Sequence, residues 1–329
     1  MLKIEFTIHT KYISKITFDG GERQVKKVTV AVLVLTLLMV CIAFSPALTL
    51  ASTPPYTITT GKLGGADYII YMPTSWNGRL IMGCTGYNAF ENPHPELVFD
   101  ALAKELASAG YAFAASNYNG GERAWLVKEG IIRTHQLTKY IVDNYQVADK
   151  IFVIGSSMGG EIALNLARKY PNLYSGVLDF CGAKDSFAHY AYSQIWITNT
   201  IADLRIIFSI PASVPDADIA GLQWFFAMVW ADNIEASGGT PMEKPKAYER
   251  YDPVFNAELR VPTISLVGGI DIIVPLFCHF DFEAAVAAAG CSDLYRLHIV
   301  PTGGHGDAPM QAERYATIME LIAWSDSLD

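Results

Sequence analysis

Ile151-Phe152-Val153-Ile154-Gly155-Ser156-Ser157-Met158-Gly159-Gly160-Glu161-Ile162-Ala163-Leu164 is the stretch on which the reading of this chain turns. Its first four residues are apolar, short and β-branched or aromatic, as a buried strand requires. From Gly159 the apolar residues take helical spacing, and the helix runs to Tyr170, before Pro171. Between the two lies Gly155-Ser156-Ser157-Met158-Gly159, a Gly-x-Ser-x-Gly string compressed into a strand-to-helix turn. A turn that sharp forces its central residue into strained dihedrals, and side chains at the glycine positions would strike the adjoining strand or helix. Ser157 then stands clear of the sheet at the positive end of a helix dipole, which is where a nucleophile is wanted.

A serine hydroxyl needs a base, and the base needs an orienting carboxylate. Strands are expected at Ala66–Tyr71, Leu80–Gly83, Tyr111–Ser116, Ile151–Gly155, Gly176–Phe180, Thr263–Gly268 and Tyr295–Val300. Helices are expected at Pro95–Ala109, Arg123–Tyr145, Gly159–Tyr170, Leu276–Ala289 and Ala312–Ser325. Such alternation implies βαβ units and a mostly parallel sheet covered on both faces, with the first strands antiparallel. Two loops at the carboxyl ends of strands carry the missing groups in the chain order serine, acid, histidine. Asp271 follows Thr263–Gly268, and His305 lies in Gly303-Gly304-His305-Gly306 after Tyr295–Val300. Asp179 and Asp185 are the rival acids, but Asp179 falls inside an expected strand. Of the seven histidines, His9, His94, His135, His189, His279 and His298 lack a glycine-rich loop after a strand. His189 and His279 are the two of these that could line a pocket, and Asp307 is read as the cap of the last helix. The oxyanion needs backbone donors. Met158 N–H supplies one, and the loop Gly83-Cys84-Thr85-Gly86-Tyr87 the other, through Tyr87 or alternatively Gly86.

These residues resemble the α/β-hydrolase superfamily, from about Tyr56 to the end of the chain. Met72-Pro73-Thr74-Ser75-Trp76-Asn77-Gly78-Arg79-Leu80, Gly110-Tyr111-Ala112, and Trp125 with Lys128-Glu129-Gly130 are similar to an exported esterase-like branch that includes tannase- and feruloyl-esterase-like enzymes. Many members begin the oxyanion loop His-Gly, whereas this chain has Thr85-Gly86. The resemblance implies an α/β-hydrolase fold and cleavage of a carboxylic ester through an acyl-enzyme. Ser157, Asp271 and His305 would be catalytic, with no cofactor and no metal.

The region from Cys181 to Arg260 is too long for a simple connection. It holds Phe187, Tyr190, Tyr192, Trp196, Phe208, Trp224, Phe225, Phe226 and Trp230. It is expected to be a helical lid insertion, about 181–260, or a helical subdomain with its own core. Its rings point to an aryl or medium acyl ester as the small-molecule substrate. A serine peptidase or acyltransferase would need the same three residues. A non-catalytic binding protein would be expected to have lost them, and a dehalogenase would have Asp in place of Ser157.

The chain has 329 residues, 51% of them hydrophobic, and a formal charge of −9, which leaves little to neutralise phosphates and argues against a nucleic-acid partner. Residues 1–27 nevertheless carry six Lys or Arg against three acids, and no charge occurs from Val28 to Gly61. Lys26-Lys27, the apolar run Val28–Phe44 and the small residues up to Ala51 have the order of a secretory signal. A membrane anchor is the alternative, since about 20 apolar residues span a bilayer. Either puts residues 52–329, the hydrolase domain, outside the cytoplasm, with membrane contact only through residues 1–51. The five cysteines (Cys41, Cys84, Cys181, Cys278 and Cys291) show no metal spacing. Export permits a disulfide among the last four without a chain of this size requiring one.

Overall fold

Strand residues of this chain alternate between two apolar layers, and that alternation sets the architecture. In the computed structural model, which describes residues 54–87, 99–121, 123–145 and 150–328, Leu80 and Met82 face one core while Ile81 faces the other. Val153 likewise points away from Phe152 and Ile154. The sheet therefore needs a helical layer on each side.

Eight strands form one sheet: β1 (Tyr56–Leu63), β2 (Ala66–Pro73), β3 (Leu80–Cys84), β4 (Ala112–Ser116), β5 (Ile151–Ser156), β6 (Gly176–Phe180), β7 (Thr263–Gly268) and β8 (Tyr295–Val300). Their order is β1-β2-β4-β3-β5-β6-β7-β8. The pairs β1–β2 and β2–β4 are antiparallel, and every other pair is parallel. Strands β3 to β7 are buried along almost their whole length, which is why they read as apolar runs rather than as alternations.

The helices are α1 (Asp100–Ser108), α2 (Val127–Asn144), α3 (Met158–Lys169), α4 (Ser186–Thr198), α5 (Ile201–Ile207), α6 (Asp216–Ser237), α7 (Pro245–Glu249), α8 (Leu276–Ala288) and α9 (Ala308–Asp326). On one face Leu137 and Ile141 of α2, Ile162 and Leu166 of α3 and Phe282 of α8 close a core over Leu80, Met82 and Val153. On the other, Leu102 and Leu106 of α1 and Leu321 of α9 cover Ile81, Phe113 and Phe152. Helices α4 to α7 make up the insertion. Trp196, Leu204, Ile219 and Phe226 form a separate buried cluster there, with Phe208 stacked on Trp196 at 4.6 Å.

Several boundaries depart from the sequence expectation. The helix expected over Arg123–Tyr145 starts only at Val127, and Trp125, ahead of it, lies 6.2 Å from Tyr87 between ring centres. The last helix starts at Ala308 rather than Ala312, with Pro in its first turn and the Asp307 side chain accepting from Met310 N–H, so the capping reading of Asp307 holds. Strand β1 was not anticipated. Among the described residues no helix is long and apolar enough to cross a membrane. The expectations for residues 1–51 lie outside the described residues.

Candidate active site

Parallel register places the site. Cys84 at the end of β3 pairs with Gly155 of β5, Ser156 with Phe180 of β6, and Gly268 of β7 with Val300 of β8. The loops that follow these strands emerge at one level, at their carboxyl ends.

Ser157 takes φ 55° and ψ −123°, positive φ for a residue with a Cβ, which costs on the order of 1–3 kcal/mol. The backbone holds it there. Its N–H donates to Phe180 C=O at 3.0 Å, and its own carbonyl accepts from Gly160 N–H at 2.8 Å and Ala183 N–H at 3.0 Å. The flanking glycines are obligatory: a Cβ on Gly155 would run into the Gly159 carbonyl, and one on Gly159 into the carbonyls of Cys84 and Thr85. The loop after β3 reaches this turn directly, since the Cβ position of Gly86 lies 3.2 Å from Ser157 Cβ. Met158 is the first residue of α3, where a backbone N–H has no acceptor within its own helix.

Asp271 and His305 meet. His305 Nδ1 and Asp271 Oδ2 are 2.8 Å apart, with the Asp271 side chain 1% exposed and that of His305 19% exposed. The other oxygen of Asp271 accepts from the N–H groups of Ile273 and Val274 at 2.8 and 3.0 Å. The carboxylate is thus held by its own loop and directs one oxygen at the imidazole. With the proton on Nδ1, the imidazole leaves Nε2 as an acceptor. The Asp307 carboxylate accepts from Gly304 N–H at 2.8 Å and anchors the histidine loop to α9.

The rival acids are committed elsewhere. Asp179 is fully buried, ion-paired with Lys184, and accepts from Ser265 Oγ at 2.6 Å. Asp185 caps α4 by accepting from Ala188 N–H at 2.9 Å. His279 is fully buried, and among the described residues neither ring nitrogen has a partner. His189 is buried too, and its Nε2–H donates to Ile273 C=O at 2.7 Å. Burial pushes the His189 imidazole down to about 4. Both histidines keep to the interior beside the acid loop.

Three features were not anticipated. Cys181 follows β6 with φ 50°, and its Sγ, an Asp271 oxygen and a His305 nitrogen all lie within 4.8 Å of one another. Burial, reinforced by Asp271, holds that thiol far above its ordinary range. All four described cysteines (Cys84, Cys181, Cys278 and Cys291) are free thiols. The second feature is a latch from the insertion: Tyr87 Oη donates to Asp232 Oδ2 of α6 at 2.5 Å, and Arg123 Nε lies 3.0 Å from the same oxygen. Burial, and then the Asp232 carboxylate, push the Tyr87 phenol upward. The third is a cavity of about 580 Å³ beside α3, with Glu161 in its wall.

Residues 106–267 match the family model described as Esterase. Comparison with curated proteins found no match. Among solved structures, the Pyrococcus horikoshii acylaminoacyl peptidase aligns over 82% of this chain at 17% identity with a TM-score of 0.58. This chain spans only 41% of that peptidase's length. The Pyrococcus furiosus esterase aligns over 82% of this chain and 89% of its own at 14% identity and TM-score 0.54. An esterase/lipase from an uncultured bacterium covers 84% and 85% at 15% identity and TM-score 0.54. With its mostly parallel eight-stranded sheet and helices on both faces, the chain has the α/β-hydrolase fold, and its residues 106–267 are similar to the Esterase family.

Proposed function

We propose that the chain hydrolyses carboxylic esters of small molecules through an acyl-enzyme on Ser157. The observation that carries this reading is the Asp271–His305 pair at 2.8 Å, set at the same end of the sheet as a serine held at φ 55°. Ser157 Oγ attacks the ester carbonyl carbon while its proton passes to His305 Nε2, and the N–H groups of Met158 and Tyr87 receive the developing oxyanion. The tetrahedral intermediate collapses, the alkoxide leaves with the proton from His305, and the acyl group stays on Ser157. Water then attacks, again through His305, and releases the acid. Asp271 holds the imidazole in the productive tautomer and offsets its positive charge.

Ester rather than peptide cleavage is favoured by the Esterase match over residues 106–267. Trp196, Phe208 and Phe226 are committed to the insertion's own core, so the aromatic richness of the insertion does not by itself select an aryl or medium acyl group. Lys26-Lys27 and the apolar run after them support export of the hydrolase domain. A fluorophosphonate probe tests the nucleophile: it is expected to label the full chain at Ser157 and to fail on Ser157→Ala. The same variant should lose on the order of a million-fold in turnover. Near-native turnover by Ser157→Ala defeats the reading. A p-nitroanilide turned over faster than the matching p-nitrophenyl ester would move the activity to amide cleavage.

A further inference from the structure

The mechanism makes no use of Glu161, one turn along α3 from Ser157. Glu161 is 5% exposed, and among the described residues its carboxylate has neither an ion pair nor a hydrogen bond. The nearby cation, Lys184, is already paired with Asp179. A buried carboxylate without a partner is expensive unless something meets it. Glu161 lines the cavity of about 580 Å³ that lies between α3, the stretch before α2, and helices α6 and α7.

We propose that this cavity binds an organic ammonium group, with Glu161 as its counter-ion. Trp125, Tyr248 and Tyr251 share the lining, and electron-rich ring faces beside a carboxylate are what a cation of low hydration selects. The other charges of the lining offset each other. Asp232 is taken by Arg123 and Tyr87, while Glu129 and Glu235 are matched by Lys128 and Arg250. Lys128, Glu235 and Arg250 are exposed, so this balance sits at the rim and the unmatched charge at depth. Burial pushes the Glu161 carboxyl well up, with Asp252 adding to the effect, so an arriving cation also restores a carboxylate that the empty cavity disfavours. The volume suits an aminoalkyl or aminoaryl group. The cavity reaches the reaction end of the sheet through Trp125 and Asp232, both of which contact Tyr87. The ammonium group therefore belongs either to the ester itself or to a separate small amine.

Calorimetric titration of the full chain with benzylamine and with benzyl alcohol tests the site without using its chemistry. Benzylamine should bind at least tenfold more tightly than the alcohol, and Glu161→Gln should erase the difference. Ala236 is exposed on α6 at the cavity wall, so Ala236→Trp should block benzylamine while the protein melts as wild type. Equal binding of amine and alcohol, no binding of either, or discrimination that survives Glu161→Gln overturns the proposal. The source of the cation is read from p-nitrophenyl 6-aminohexanoate against p-nitrophenyl heptanoate, which are nearly isosteric. A tenfold preference in kcat/KM for the amino ester, carried by KM and lost in Glu161→Gln, assigns the group to the substrate. Benzylamine binding without that preference assigns the site to a separate amine. This last arm rests on the ester-hydrolase reading. A chain that binds benzylamine but cleaves neither ester defeats that reading and leaves the cation site standing.

Discussion

Replacing Asp271 by asparagine separates a catalytic role from a structural one, because the two candidate acids fail in opposite ways. One oxygen of Asp271 accepts from two backbone N–H groups, and the other faces His305 Nδ1. Asparagine has a single oxygen. If that oxygen keeps the two backbone bonds, the amide NH₂ faces Nδ1 and turns it into an acceptor. The imidazole proton then sits on Nε2, the atom proposed to take the proton from Ser157. The same change in serine proteases costs about 10⁴ in turnover, or about 5 kcal/mol of barrier. The fold loses only one charge-assisted hydrogen bond, about 1–2 kcal/mol, or roughly 2–8 °C in melting temperature. Asp179→Asn does the reverse. It strands the fully buried Lys184 ammonium beside a neutral amide, and breaking a buried pair in this way costs about 3–5 kcal/mol of a total near 5–15 kcal/mol. Steady-state hydrolysis of p-nitrophenyl acetate and thermal melts followed by circular dichroism read the two effects. The assignment is refuted if Asp271→Asn keeps more than a tenth of wild-type turnover. It is equally refuted if Asp179→Asn melts as wild type while turning over ten-thousand-fold more slowly.

Other perturbations probe the surroundings. His189, pushed down to about 4 by burial, stays neutral in the fold but binds a proton below its ordinary 6.5 when unfolded. Stability should therefore be full above pH 6.5 and fall by up to about 3 kcal/mol as the pH drops toward 4, a slope that urea unfolding should find flattened in His189→Gln. An unchanged slope would place the titrating group elsewhere. Tyr87→Phe removes the bond to Asp232 while leaving every backbone donor in place, so turnover of small esters should fall about tenfold through displacement of the loop. Wild-type turnover would show that the latch does not position that loop. Amino-terminal sequencing of the protein recovered from its source should read a mature end near Ser52; an intact Met1 in the membrane fraction would favour the anchor, and an intact Met1 in the cytosol would defeat export.

How legible the molecule was in its sequence depended on how local each signal was. The elbow was readable because strand, turn and helix are contiguous over Ile151–Lys169, and the glycines are dictated by collisions within a few residues. Asp271 and His305 were singled out by chain order and by their loops after strands, and the fold brings the two side chains to 2.8 Å. Strand β1 was missed because its Tyr56–Leu63 side chains are mostly exposed and polar, as on a sheet edge, so no apolar period marks it. A signal was present even so: Gly64-Gly65, at φ 61° and 94°, separates β1 from β2 by the two residues of a tight hairpin. The Tyr87–Asp232 latch joins residues 145 apart, and no local pattern announces such a pair.

The insertion carries more than either role its rings suggested, a lid over the pocket or a helical subdomain with its own core. In the fold it braces the site from two sides. Asp232 of α6 holds Tyr87 of the loop after β3, with Phe225 edge-on to the same ring at 6.3 Å. From α4, Tyr192 Oη donates to Ile272 C=O at 3.0 Å and His189 Nε2–H to Ile273 C=O at 2.7 Å, both in the loop that aims Asp271. The two helices are joined through a core of their own, Trp196 and Phe226 in contact with Leu204 and Ile219. A segment that fixes the proposed oxyanion donor at one end and the proposed acid at the other cannot swing away as a free flap without disturbing both. The insertion's own core is then what keeps those two loops, one from each half of the sheet, in register with each other.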